Sequence, residues 1–310
     1  MDENKKLTDE ERIELTKKAY DKLELGETVE INGKFIGIVS DTTYAADGMR
    51  AFVITNANEV TILFKGSYGI SRGNPTTWRD EWLKTNLPIL LAMLTSEKKI
   101  PSQLKTASYF LNKSIHQFKG AHFYIYGHSL GAINAQYALA NCRHPEEIMG
   151  AYLYEGTNIW TLLNQKQRQR VSKMRNKIYN YVDIYDPVTL GITATHHMVG
   201  KLQYVKSEQM QPIKQHMWGG YQFDQKGKLQ LSEVDDKFLQ MSQNERKLLL
   251  RSSDLANKLG QNVQEGELRN LVLTKLNEMR QKYPGHHGLV KLVELVNKIS
   301  DHNQDKGAGS

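Results

Sequence analysis

Gly127-His128-Ser129-Leu130-Gly131 follows an apolar, aromatic run at 121–126 (AHFYIY) and leads into a second apolar run at 132–140 (AINAQYALA). The first run reads as a strand and the second as a helix. Strand, Gly-x-Ser-x-Gly, helix is the layout of a nucleophile elbow. In such a turn the serine backbone is strained, and the flanking glycines leave space where a side chain would strike the neighbouring strand or helix. The turn lifts the Ser129 hydroxyl above the sheet. It also sets the Leu130 amide at a helix N-terminus, where it can donate to a developing oxyanion. The pattern alone is common, so its weight comes from the strand before it and the helix after it.

Outward from the elbow, the order of elements is regular. Residues 60–64 (VTILF), 121–126, 150–154 (GAYLY) and 177–182 (KIYNYV) read as strands, separated by helical stretches at 78–96, 101–118, 132–140 and 160–174. That alternation predicts an α/β fold: a mostly parallel central sheet flanked by helices, with chemistry collected at the carboxyl ends of the strands. Upstream, residues 8–24 read as an amphipathic helix closed by Gly26. Residues 28–31 and 35–39 read as a hairpin around Asn32-Gly33, and 41–49 as a loop. Pro88 should divide the 78–96 stretch, whose apolar residues suit either packing on the sheet or a lid.

The 310 residues suffice for one large domain with an appendage. Residues 1–231 are assigned to the α/β domain and 232–310 to a helical C-terminal extension that would serve targeting or partner binding. In the extension, Ser242 and Glu245 make a capping-box pattern. Hydrophobic residues make up 39% of the chain and mean hydropathy is -0.56, so a core is available, yet no apolar run is long enough to span a bilayer. The charged start lacks an apolar leader core. The formal net charge of +7 is compatible with transient contact at an anionic membrane surface. The dispersed Lys and Arg residues argue against nucleic acid, and the densest cluster, 166–175, reads as a solvated helix face. Cys142, the sole cysteine, excludes an internal disulfide and has no neighbour that would activate it. No metal site and no cofactor are expected.

A serine hydroxyl needs a base, and the base needs a carboxylate that fixes its tautomer. The expected order is Ser, acid, His. Asp183 and Asp186 both follow the 177–182 strand; Asp186 is preferred and Asp183 remains the alternative. His196, His197 and His216 lie downstream. His216 precedes Gly219-Gly220 and a short hairpin, 221–224 and 228–231, and is the expected base. The Lys65-Gly66-Ser67 turn ends a strand and offers the Ser67 amide as a second oxyanion donor. His128, beside the serine in the chain, suits packing or contact with substrate better than proton transfer.

These segments together, Phe64-Lys65-Gly66-Ser67, Trp78-Arg79-Asp80-Glu81-Trp82, the elbow, Asp186-Pro187-Val188 and His216, resemble the class 3 (fungal-type) lipases of the α/β-hydrolase fold. The chain looks closest to a bacterial, Gram-positive branch of lipase-like serine hydrolases, over about residues 28–231. The resemblance implies a lipid ester hydrolase, a lipase or phospholipase. Ser129, Asp186 and His216 would form its triad, and the Ser67 and Leu130 amides its oxyanion hole. Lys65 departs from the arginine common in the family. Some members of that branch are toxins exported by type VII secretion, with a helical region after the lipase domain. This implies an antibacterial or virulence effector secreted without a standard signal peptide, with small helical partner or immunity proteins; otherwise the protein is cytoplasmic. The alternatives are an acyltransferase or thioesterase on the same triad, and an inactive hydrolase-fold adaptor.

Overall fold

A computed structural model describes residues 2–66, 100–186, 189, 197–236 and 238–240, with residues 274 and 281. The 78–96 helical stretch, Ser67, His196 and nearly all of the C-terminal extension lie outside the described residues.

Eight strands form one sheet in chain order: β1 (Thr28–Ile31), β2 (Lys34–Tyr44), β3 (Arg50–Asn56), β4 (Glu59–Phe64), β5 (His122–His128), β6 (Ile148–Tyr154), β7 (Ile178–Val182) and β8 (Lys201–Tyr204). β1 to β4 are antiparallel neighbours, and β4 to β8 run parallel. The Asn32-Gly33 turn is as expected, with both residues at positive φ. β2 continues to Tyr44 through a register shift between Val39 and Asp41, so the first four residues of the expected 41–49 loop are strand. β8 has no counterpart in the sequence reading.

Two short helices, α1 (Glu3–Lys6) and α2 (Asp9–Lys17), precede the sheet. α3 (Ser102–Gln117), α4 (Leu130–Ala140) and α5 (Gln165–Lys173) lie between the parallel strands, and α6 (Pro212–His216) follows β8. Because strand order equals chain order, right-handed crossovers all fall on one face. Accordingly α3, α4 and α5 share a single core, in which Leu104, Leu111, Ile133, Leu139 and Val171 meet Ile62, Phe123, Ile125 and Leu153. This is an α/β-hydrolase fold.

The opposite face carries the alternate residues of the same strands, and many are tyrosines. Tyr126, Tyr152 and Tyr179 stack in a row, with ring centroids 5.2 and 5.6 Å apart, and Tyr154 stacks on Tyr181 at 4.9 Å. The N-terminal segment covers this face. Its Leu7, Leu15, Ala19 and Leu23 pack on Phe52, Leu63, Tyr124 and Tyr126. The Arg12 guanidinium lies 4.5 Å from the Tyr152 ring centroid. The tyrosine hydroxyls are spent on the same segment: Tyr124 donates to Asp2 (2.6 Å) and Tyr126 to Asn4 (2.8 Å). Thr8 and Glu11 form a reciprocal capping box that starts α2. The rest of the face is closed by Trp218, Tyr221 and Leu229.

Candidate active site

β5 ends at His128, and Ser129 turns the chain into α4 with φ 56° and ψ -126°. A non-glycine residue in this region is strained by about 1–3 kcal/mol and persists only where its surroundings over-determine it. Here the Ser129 amide donates to the Tyr154 carbonyl of β6 (2.9 Å), and the Ser129 carbonyl accepts from Ala132 and Ile133. The two glycines are required by close approach. A Cβ on Gly131 would fall on the Phe64 carbonyl oxygen, and one on Gly127 would sit 2.6 Å from the Gly131 carbonyl oxygen. Leu130 opens α4, so its amide is among those that no helical carbonyl reaches. The Ser129 side chain is fully buried, and among the described residues its Oγ makes no hydrogen bond.

β7 ends at Val182, and a tight turn follows in which the Asp186 amide donates to the Asp183 carbonyl (3.0 Å). The turn separates the two aspartates. Asp186 Oδ2 lies 2.6 Å from His216 Nδ1, and both side chains are buried. Asp183 turns instead to Ser207 Oγ (2.6 Å), to Gln215 Nε2 and to the Tyr185 amide (2.8 Å). Two successive residues at the end of α6, Gln215 and His216, are thus tied to two carboxylates at the end of one strand. His216 lies at the end of a short helix rather than in a loop. With Asp186 as acceptor, Nδ1 carries the proton, which leaves Nε2 as the lone-pair nitrogen. Among the described residues Nε2 has no hydrogen-bond partner.

Glu155, at the tip of β6 with φ 49°, completes a buried acidic group. It accepts from the Asp183 amide (3.1 Å) and from the Tyr221 hydroxyl. Burial first, then Asp186 and Asp183, pushes its carboxyl well above the usual range. Burial likewise raises Asp183, to about 6, against the hydrogen bonds it accepts.

Sequence reasoning missed the ring of residues around His128. The Tyr20 hydroxyl lies 2.5 Å from His128 Nδ1, and His128 Nε2 lies 2.7 Å from the His216 carbonyl oxygen. The His128 ring rests against Trp218 (centroids 3.9 Å) and His216 (4.6 Å). No local signal links residue 20 to residue 128; only the docking of the N-terminal segment does. His197 does not join this group: it is exposed and packs edge-on against Trp160. Cys142 is buried, its thiol pushed up to about 11 by burial. Ser67, the expected second oxyanion donor, falls outside the described residues.

The Mbeg1-like family model matches residues 92–254, just over half of the chain. The chain belongs to the Mbeg1-like family. The match spans the elbow, both aspartates and His216, while the N-terminal segment that supplies Tyr20 precedes it. No curated protein matches in sequence. Among solved structures, the chain is similar to a Rhizomucor miehei lipase in complex with its propeptide, at 12% identity and a TM-score of 0.40. That match covers 63% of this chain and 66% of the other, just under two thirds of its length. A triacylglycerol lipase from Penicillium expansum is 14% identical over 64% of this chain and 79% of its own, with a TM-score of 0.41. A further fungal lipase is 15% identical over 78% and 96%, with a TM-score of 0.40.

Proposed function

We propose that this protein is a serine hydrolase of carboxylic esters, acting on lipid acyl esters. The observation that carries the reading is the buried Asp186–His216 hydrogen bond of 2.6 Å. Among the described residues it leaves His216 Nε2 unpartnered, in a site whose elbow serine also has an unpartnered hydroxyl. Buried polar atoms are rarely left so, and here the two are the atoms that general-base catalysis joins.

In this mechanism Ser129 Oγ attacks the ester carbonyl as His216 Nε2 takes its proton. Asp186 holds the imidazole in the correct tautomer and stabilises the imidazolium. The Leu130 amide, with that of Ser67, receives the oxyanion. His216 then protonates the departing alkoxide. Water, activated by the same nitrogen, attacks the acyl-enzyme, releases the carboxylic acid and restores Ser129. The basic balance of the chain favours phospholipid substrates over neutral glycerides.

Hydrolysis of short-chain nitrophenyl esters and of phospholipid vesicles by wild type and Ser129→Ala tests the proposal. Wild-type turnover lost in the variant supports it, and equal turnover by both proteins refutes it.

A further inference from the structure

Tyr20, His128 and His216 are joined end to end by two hydrogen bonds, the first part-buried and the second buried, and the middle residue is the one inside the elbow. The His216 carbonyl can only accept, so His128 Nε2 carries a proton. Burial, with His216 close by, holds the His128 imidazole neutral well below its usual range. A neutral ring protonated at Nε2 has a lone pair at Nδ1, and the Tyr20 hydroxyl is its donor. Each link therefore fixes the next: the hydroxyl sets the tautomer, and the tautomer supplies the N–H that grips the backbone of His216.

We propose that Tyr20 and His128 are positioning residues that hold His216 against the elbow, so that the N-terminal segment is a working part of the ester-hydrolysing site. This rests on the reading of Ser129, Asp186 and His216 above. Three observations support it. Among the described residues the His216 side chain is hydrogen-bonded at Nδ1 alone, because Nε2 must stay open for proton transfer. The carbonyl bond from His128 and the flank of its ring supply the second constraint. Trp218, at φ 61°, packs against the same His128 ring, with centroids 3.9 Å apart, and restricts its movement. Finally, the Tyr20 hydroxyl occupies the place where a Cβ of residue 66 would lie.

Small displacements of a catalytic base are costly, about a hundredfold for 1 Å. The test measures kcat and KM on nitrophenyl butyrate for Tyr20→Phe, His128→Gln, His128→Leu and Ser129→Ala, with thermal unfolding of each. Tyr20→Phe removes one oxygen and should lower kcat about fivefold, with KM within about twofold. His128→Leu should lower kcat roughly fiftyfold. His128→Gln, whose amide can still donate to the His216 carbonyl, should recover most of that loss. Folded Tyr20→Phe and His128→Leu proteins at wild-type kcat, or equal losses in the Gln and Leu variants, overturn the relay. If His128→Leu does not fold, the Tyr20→Phe result decides alone. Activity that survives in Ser129→Ala overturns the hydrolase reading itself, a distinct outcome.

Discussion

His216 Nδ1 lies 2.6 Å from Asp186 Oδ2, whereas the carboxylate of Asp183, three residues earlier, is bound to the side chain of Gln215. Adjacent residues of one short helix are thereby anchored to separate carboxylates. His216 is held by Asp186, and Gln215 ties the same helix to Asp183.

The two aspartates should separate cleanly on mutation. Asp186→Asn is expected to lower kcat by about 10³–10⁴-fold, because the amide selects the wrong imidazole tautomer. Asp183→Asn keeps acceptor capacity for Tyr185 but weakens the grip on Gln215, and should cost about tenfold or less. Steady-state kinetics on a soluble ester check this. Equal losses in the two variants would contradict the division of labour.

Asp183 also predicts a pH dependence of stability. Its carboxyl is raised from 3.8 to about 6, chiefly by burial. Between those values the folded state holds more protons than the unfolded chain, so stability contributed by this group falls as pH rises through the window. The shift corresponds to at most about 3 kcal/mol. His128, held neutral in the fold, acts in the opposite sense as pH falls below its ordinary value, so the comparison must be differential. Urea unfolding of wild type and Asp183→Asn should show the variant gaining on wild type between about pH 4 and about pH 7. A constant difference across that range would refute the assignment.

Ser129 predicts an exchange of stability for activity. Its backbone sits at φ 56° and ψ -126°, a region natural to glycine, and its buried hydroxyl is unpartnered among the described residues. Ser129→Gly should relieve about 1–3 kcal/mol of strain, less about 0.4–1 kcal/mol of added unfolded-state entropy. The variant is expected to be inactive yet about 1 kcal/mol more stable in urea titration. A loss of more than about 1 kcal/mol would show that the turn is not strained.

The elbow was legible because it is local: strand, glycines, serine and helix are contiguous in the chain. The 121–126 run was legible as a strand for the same reason, but its uniformly apolar pattern did not tell the faces apart; in the fold Phe123 and Ile125 face one core and Tyr124 and Tyr126 the other. The choice between Asp183 and Asp186 was not legible, because both follow the same strand and only the turn between them aims one at His216. β8 escaped notice because its apolar face is only Leu202 and Tyr204, too short an alternation in a four-residue strand to read as a period. The role of Tyr20 was invisible for a different reason: its partner is 108 residues away, brought near by the N-terminal segment on the tyrosine face.

The central claim is that Ser129 is an activated nucleophile. The most direct measurement is fluorophosphonate labelling of the folded protein, with the modified residue located by peptide mass spectrometry. The account predicts a single adduct on Ser129, absent from Ser129→Ala and much slowed in His216→Ala. An unlabelled wild-type protein, or labelling undiminished in Ser129→Ala, would contradict it.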